Sequence, residues 1–226
     1  TLKLTNGFTT QGVIAANKQL SISSQGDITN ASTLQGNGIT LSAAGSLTNN
    51  GQLTAGSGTT ALSGSQIALN ASGSLQAGGD VSLTSQGDIS LNGFTGTAGS
   101  LLLNAAGSIV NTALLYAGNN LSLFASSIQN LRGDMLAGNN LVMQKDGSGA
   151  ANAEVINTSG NIETTNGDIT IKTGHLLNTR DGLTTKTTQI DGAQSIPGLG
   201  DARISVDISQ LADGTYGMNS FETVYQ

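Results

Sequence analysis

Three aspartates recur in one three-residue setting, Gly26-Asp27-Ile28, Gly87-Asp88-Ile89 and Gly167-Asp168-Ile169, and Asp80 occupies the related Gly79-Asp80-Val81. Recurring carboxylates are what cleavage of a glycosidic bond would draw on, because one acid must protonate the leaving oxygen while a second, at fixed separation, acts as base or nucleophile. The spacing argues against that chemistry. Asp27 and Asp88 lie 61 residues apart and Asp88 and Asp168 lie 80 apart, so in a chain built from units of about 20 residues they fall three and four units from each other. They are read instead as caps of tight corners, where a carboxylate accepts from nearby backbone N–H groups.

Metal and nucleophile chemistry are equally thin. Gly78-Gly79-Asp80 is a single fragment of the nonapeptide pattern that binds calcium, which needs Asp recurring with the glycines. His175 is the one histidine and has no companion ligand in its neighbourhood, so it is read as a turn or coil-surface residue. Cysteine is absent, which removes disulfides, thiolate zinc sites and thiol catalysis together. No catalytic residue, cofactor site or metal site is assigned.

The elements that carry these residues are defined by a hydrophobic triplet. It reads Leu20-Ser21-Ile22, Ile39-Thr40-Leu41, Thr60-Ala61-Leu62, Val81-Ser82-Leu83, Leu101-Leu102-Leu103, Leu121-Ser122-Leu123, Leu141-Val142-Met143 and Ile169-Thr170-Ile171, with spacings of 19, 21, 21, 20, 20, 20 and 28. Apolar residues alternate with Ser, Thr, Asn and Gln between Gly, Asn and Asp punctuation, which is strand-and-turn patterning without a helical period. A second apolar position follows a small-residue turn, as in Gly45-Ser46-Leu47, Gly73-Ser74-Leu75, Gly107-Ser108-Ile109 and Gly160-Asn161-Ile162. Each unit therefore holds two or three very short strands.

One such unit cannot bury its few aliphatic side chains, but units stacked at the strand spacing of about 4.8 Å can. The fold class is all-β, a right-handed parallel β-helix of about 20-residue coils. About ten coils would make a rod of roughly 50 Å, with glycine at the corners where φ is positive. Asn30, Asn49, Asn111, Asn130 and Asn178 follow second apolar positions by two residues and are expected to form hydrogen-bonded ladders between coils. The spacing of 28 between Leu141 and Ile169 calls for an insertion near residues 145–154, most simply Lys145 to Ala150 leaving the coil at a corner.

Composition bounds the partners. Net charge is −6 and only 10% of residues are charged, so the electrostatic footprint of a nucleic-acid binder is missing. No apolar run approaches the roughly 18 residues of a membrane-spanning helix, and a sequence that starts mid-repeat without Met is expected to be a piece of something longer. Of the 22 charged residues, 17 lie from Arg132 onward. After Arg180 the repeat fades, so the chain divides into residues 1–180, the β-helix, and 181–226, a transition segment, a cap or the start of another region. Arg203 to Ile208 still alternates like a strand. Tyr216, Phe221 and Tyr225 are candidate partner-binding residues, since aromatics dominate binding hot spots. The plainer reading makes them the small core of a module cut at Gln226, or a cover for the last coil.

The copies of Ala-Gly-Asn-Asn-Leu-x-Leu at 117–123 and 137–143, the second ending in Met143, resemble the filamentous haemagglutinin repeats of large two-partner-secretion exoproteins over roughly residues 10–180. The stretch from Asn157 to Ile169, with Thr173-Gly174-His175-Leu176-Leu177-Asn178, is similar to the end of the repeat stalk in CdiA-type contact-dependent growth inhibition effectors. Leu211 to Gly217 looks like the first residues of their receptor-binding region. The resemblance implies a secreted protein attached to the bacterial cell surface and exported through an outer-membrane two-partner-secretion transporter. It implies a rigid stalk, not an enzyme, that presents a receptor-binding region and a toxin to an outer-membrane receptor on a neighbouring bacterium. Two alternatives remain: an adhesin whose β-helix surface binds host protein or glycan, which exposed aromatic stripes would support, and a polysaccharide-degrading β-helix enzyme, which clustered acids would support.

Overall fold

The computed structural model describes residues 1–182, 184–189 and 221–225, with backbone only from Thr185 onward. Its two compact units are Thr1–Thr179 and Arg180–Gln226.

The first unit contains no helix among its described residues and is built from three parallel sheets. Nine strands from Leu2–Leu4 to Ile169–Ile171 form the first sheet, nine from Phe8–Thr10 to Leu176–Thr179 the second, and eight from Ile14–Ala15 to Asn161–Thr164 the third. The chain visits the three sheets in turn, so each circuit is one coil of a parallel β-helix. There are nine coils rather than ten, about 40 Å of stacking at the usual strand spacing.

Register places like over like. Leu101 pairs with Leu121 and Leu121 with Leu141; Leu103 pairs with Leu123 and Leu123 with Met143. On the second sheet Ile67, Ile89, Ile109 and Ile128 stack in one column. On the third, Leu34, Leu53, Leu75, Thr95, Leu115, Met135 and Ile162 do the same. Period-2 alternation sends these side chains inward and their Ser, Thr and Gln neighbours outward. Burying each Leu or Ile contributes about 1.5–3 kcal/mol, so the column supplies most of the gain that offsets chain ordering.

The third sheet separates two kinds of second apolar position. Leu75 and Ile162 belong to it, whereas Leu47, Ile89 and Ile109 belong to the second sheet. In those two coils the second-sheet strands are Ile67–Leu69 and Glu154–Thr158, which lack the Gly-x-apolar lead-in.

The corners also differ from expectation. Among the described residues the glycines with positive φ are Gly149 and Gly182, neither at a repeating corner. Corner glycines are required by close stacking instead: a Cβ on Gly138 would collide with the Gly118 carbonyl oxygen, and one on Gly118 with the Ala98 carbonyl oxygen. Left-handed backbone falls on Arg132 (φ 56°) and Ser159 (φ 52°), which precede glycines at matching corners of successive coils.

Most of the extra residues between Leu141 and Ile169 leave the coil as a closed loop. The Lys145 N–H donates to the Ala150 carbonyl at 2.9 Å, and coil geometry resumes where the Ala153 N–H donates to the Ser126 carbonyl at 2.9 Å. In the second unit, Thr185–Gln189 pairs antiparallel with Phe221–Tyr225, Thr185 opposite Tyr225.

Leu121 is fully buried. Leu121→Asp places an unpaired carboxylate in the column and is expected to cost about 3–5 kcal/mol by denaturant titration. An equally stable variant would show that Leu121 does not face the interior.

Candidate functional site

Three of the four aspartates singled out by their spacing bind the backbone of the next coil. Asp27, Asp80 and Asp88 use Oδ1 to accept the N–H of Ser46, Ser100 and Ser108, each at 2.8 Å. Asparagines do the same elsewhere: Asn37 accepts from Ser57 at 3.1 Å, Asn120 from Asn140 at 3.1 Å and Asn140 from Asp168 at 2.9 Å. Asp168 is thus capped rather than capping. Backbone pairing between coils continues into the corners, as where the Gly45 N–H donates to the Gly26 carbonyl at 3.1 Å and the Gly107 N–H to the Gly87 carbonyl at 3.0 Å, and these side-chain oxygens take corner donors beside those bonds. Asp80 and Asp88 flank opposite ends of the strand Val81–Ser85 on one coil, Asp27 and Asp168 lie on other coils, and all four are exposed.

His175 is exposed at the last corner, its N–H donating to Thr173 Oγ1 at 3.3 Å while Thr173 Oγ1 donates to the His175 carbonyl at 2.9 Å. Among the described residues, no three His, Asp or Glu side chains come together as a metal-ion cage would require. Tyr216 lies outside the described residues, as does the segment Arg203 to Ile208. Phe221 and Tyr225 are the first and last residues of the strand that pairs with Thr185–Gln189.

The buried polar chemistry is in the asparagines. Asn30 Nδ2 donates to Asn49 Oδ1 at 2.8 Å, and a longer ladder runs from Asn111 through Asn130 and Asn157 to Asn178, each step 2.9 Å. The remaining amide hydrogens go to corner carbonyls: Asn111 to Ala113, Asn130 to Gly133 and Asn157 to Gly160, each at 2.8 Å. Leu69 and Leu91 fill the same column between the two ladders. Asn157 was missed in the sequence because its strand lacks the glycine lead-in. A buried amide whose donors and acceptor are all matched stabilises; one left unmatched costs the desolvation of its polar atoms.

At the loop, Asp146 Oδ1 accepts from the hydroxyl and the N–H of Ser148. Those bonds, led by the hydroxyl, hold the Asp146 carboxyl below the ordinary aspartate value, with a backbone N–H of Ala150 and the charge of Lys145 adding to the effect. A lowered folded-state pKa gives stabilisation that is present above the ordinary aspartate value and lost as pH falls through the lowered one. On the outer face of the third sheet, Phe94 and Tyr116 occupy neighbouring coils.

The haemagglutinin-repeat family profile matches residues 1–51, 32–93 and 96–163. The chain is 72% identical over 217 residues, 96% of its length, to a tRNA nuclease CdiA of Escherichia coli strain STEC_O31, of which it spans 7%. It is 48% identical over 90% of its length to a tRNA nuclease CdiA of Yersinia mollaretii, spanning 7% of that protein. It is 46% identical over 78% of its length to a deoxyribonuclease CdiA of Dickeya dadantii strain 3937, spanning 5%. No solved structure matches.

Two measurements test the assigned roles. Asn130→Ala breaks two ladder bonds and a corner bond and is expected to cost about 2–3 kcal/mol by denaturant titration, whereas Asp88→Ala, which frees one exposed N–H to water, is expected to cost under about 1 kcal/mol. Equal losses would mean that the ladder is not specially stabilising. Side-chain carboxyl NMR should find Asp146 titrating below free aspartate and returning toward it in Ser148→Ala. With the repeat profile covering most of the nine coils and the coils themselves in register, the chain belongs to the haemagglutinin-repeat family.

Proposed function

We propose that residues 1–180 are a stretch of rigid stalk in a secreted, surface-attached effector, and that residues 181–226 lead into the region that meets an outer-membrane receptor on a neighbouring bacterium. One observation carries this reading. Relatives named for two different activities, a tRNA nuclease and a deoxyribonuclease, share this repeat region at 72% and 46% identity while it spans 7% and 5% of their lengths. A segment common to proteins of different chemistry is best understood as what carries the chemistry, not as the chemistry itself. On this reading the stalk is not an enzyme. Its partners are mechanical: an outer-membrane two-partner-secretion transporter during export, and the regions at its far end thereafter.

The geometry supports that role. A column of in-register coils resists bending because every inward side chain and every strand hydrogen bond is shared with the coil above and below. Tyr216, Phe221 and Tyr225 are proposed to belong to the receptor-proximal segment, where an aromatic can anchor a partner.

The test removes coils from a whole effector that carries this stalk. Residues 60–80 make one complete turn, since Thr60 pairs with Val81; their deletion brings Val81 over Ile39 and keeps every inward column aligned. Surface display and inhibition of neighbouring cells are expected to survive it, while deletion of residues 60–70 disrupts register and abolishes display. Loss of inhibition with normal display after the full-coil deletion would overturn the stalk reading, because a spacer tolerates a change of about 5 Å.

A further inference from the structure

The outward positions of the third sheet change character partway along the β-helix. One outward column runs Gln35, Thr54, Gln76, Gly96, Tyr116, Leu136, Glu163, and its neighbour runs Thr33, Gln52, Ser74, then Leu114, Asp134, Asn161. Phe94, one residue before the strand Thr95–Thr97, falls in the second column between Ser74 and Leu114, and its ring fills the space above Gly96 that a side chain would take. Polar positions thus give way to a contiguous patch of Phe94, Leu114, Tyr116 and Leu136, bordered by Gln76, Asp134, Asn161 and Glu163. Tyr116 is 39% exposed, and the border is ordered: Asn161 Nδ2 donates to Asp134 Oδ1 at 2.7 Å.

We propose that this patch is a binding surface for a neutral glycan chain. A pyranose ring has an apolar C–H face that stacks on an aromatic ring and a rim of hydroxyls that donate to carboxylates and amide oxygens. The patch offers both, an aromatic platform edged by Asp134, Asn161 and Glu163. Four side chains fall far short of the 20–30 residues per side that a stable protein interface uses, but they match one or two sugar units. Rows two coils apart, such as those of Tyr116 and Glu163, are separated by about 10 Å, which lets a disaccharide reach from platform to acid. The open, unwalled face suits a polymer passing across it. No lysine or arginine occupies an outward register position of these two columns, and the chain carries net charge −6, so sulfated or phosphorylated glycans are repelled. The inference is independent of toxin delivery, because a spacer needs no recognition face.

The test is affinity electrophoresis of the 226-residue chain through gels holding dextran, a soluble β-glucan or galactomannan, with heparin as the anionic comparison and polysaccharide-free outer-membrane protein as the protein comparison. At least one neutral polysaccharide is expected to retard the chain. Tyr116→Ala, an exposed change that circular dichroism should show folded, is expected to weaken retardation about tenfold, the loss typical of an aromatic anchor. Tyr116→Phe should keep it, and Ser21→Ala on another face should not alter it. No retardation by any neutral polysaccharide, equal retardation of wild type and Tyr116→Ala, or retardation by heparin alone would overturn the proposal. So would Tyr116-dependent binding to outer-membrane protein without polysaccharide binding, which would make the patch a protein dock.

Discussion

Parallel, in-register pairing between successive coils constrains everything else in this molecule. A strand in the interior of any of the three sheets gives all its backbone donors and acceptors to the coils on either side, so position in one coil fixes position in the next. A one-residue slip within a strand would turn the whole inward set to solvent. Length variation can therefore be absorbed only between strands. Spacings of 19 and 21 are taken up at corners; of the eight extra residues in the spacing of 28, seven lie between Gln144 and Glu154, where the closed loop forms, and one at the corner between Thr164 and Ile169.

The same constraint explains which polar groups can be inside. An isolated buried amide in a narrow aliphatic column would be costly, but register brings the next asparagine within 2.9 Å, so each satisfies its neighbour. Where the ladder is interrupted, the column reverts to leucine at Leu69 and Leu91, an all-apolar solution to the same geometry. Thr10 and Thr60 are less well served, their buried hydroxyls lacking a hydrogen-bond partner. At the corners that lead into the first and second sheets the acids are part of this scheme: Asp80, and Asp27 and Asp88, each commit a carboxylate to a backbone N–H of the next coil.

With the interior uniform, the outer faces are where this segment can differ from any other stretch of repeats. Outward residues make no demand on register, so they are free to carry recognition. The first coils present Ser, Thr and Gln, while the coils from residue 94 onward present Phe94, Leu114, Tyr116 and Leu136 on the third face. A stalk that also holds a glycan would be steadied against the surface it crosses while its distal regions act.

The period, the triplets and the absence of cysteine were legible in the sequence, because a solenoid writes its architecture locally and repeats it. Alternation within each triplet set inside from outside, and five members of the asparagine ladders could be named from their distance to the apolar position before them. The sequence could not separate second-sheet from third-sheet positions, since Gly-x-apolar marks either corner; Leu75, Ile162 and Asn157 were sorted only by the strand pairing. Glycine presence was legible and its cause was not, because the clash of a Cβ on Gly138 with Gly118 is a contact between coils that are 20 residues apart. Phe94 and Tyr116 are likewise 22 residues apart in the chain, and only coil stacking sets them on neighbouring coils of one face. Local pattern determined the coil; contacts between coils, which depend on three-dimensional register, decided what each corner and each outer face could do.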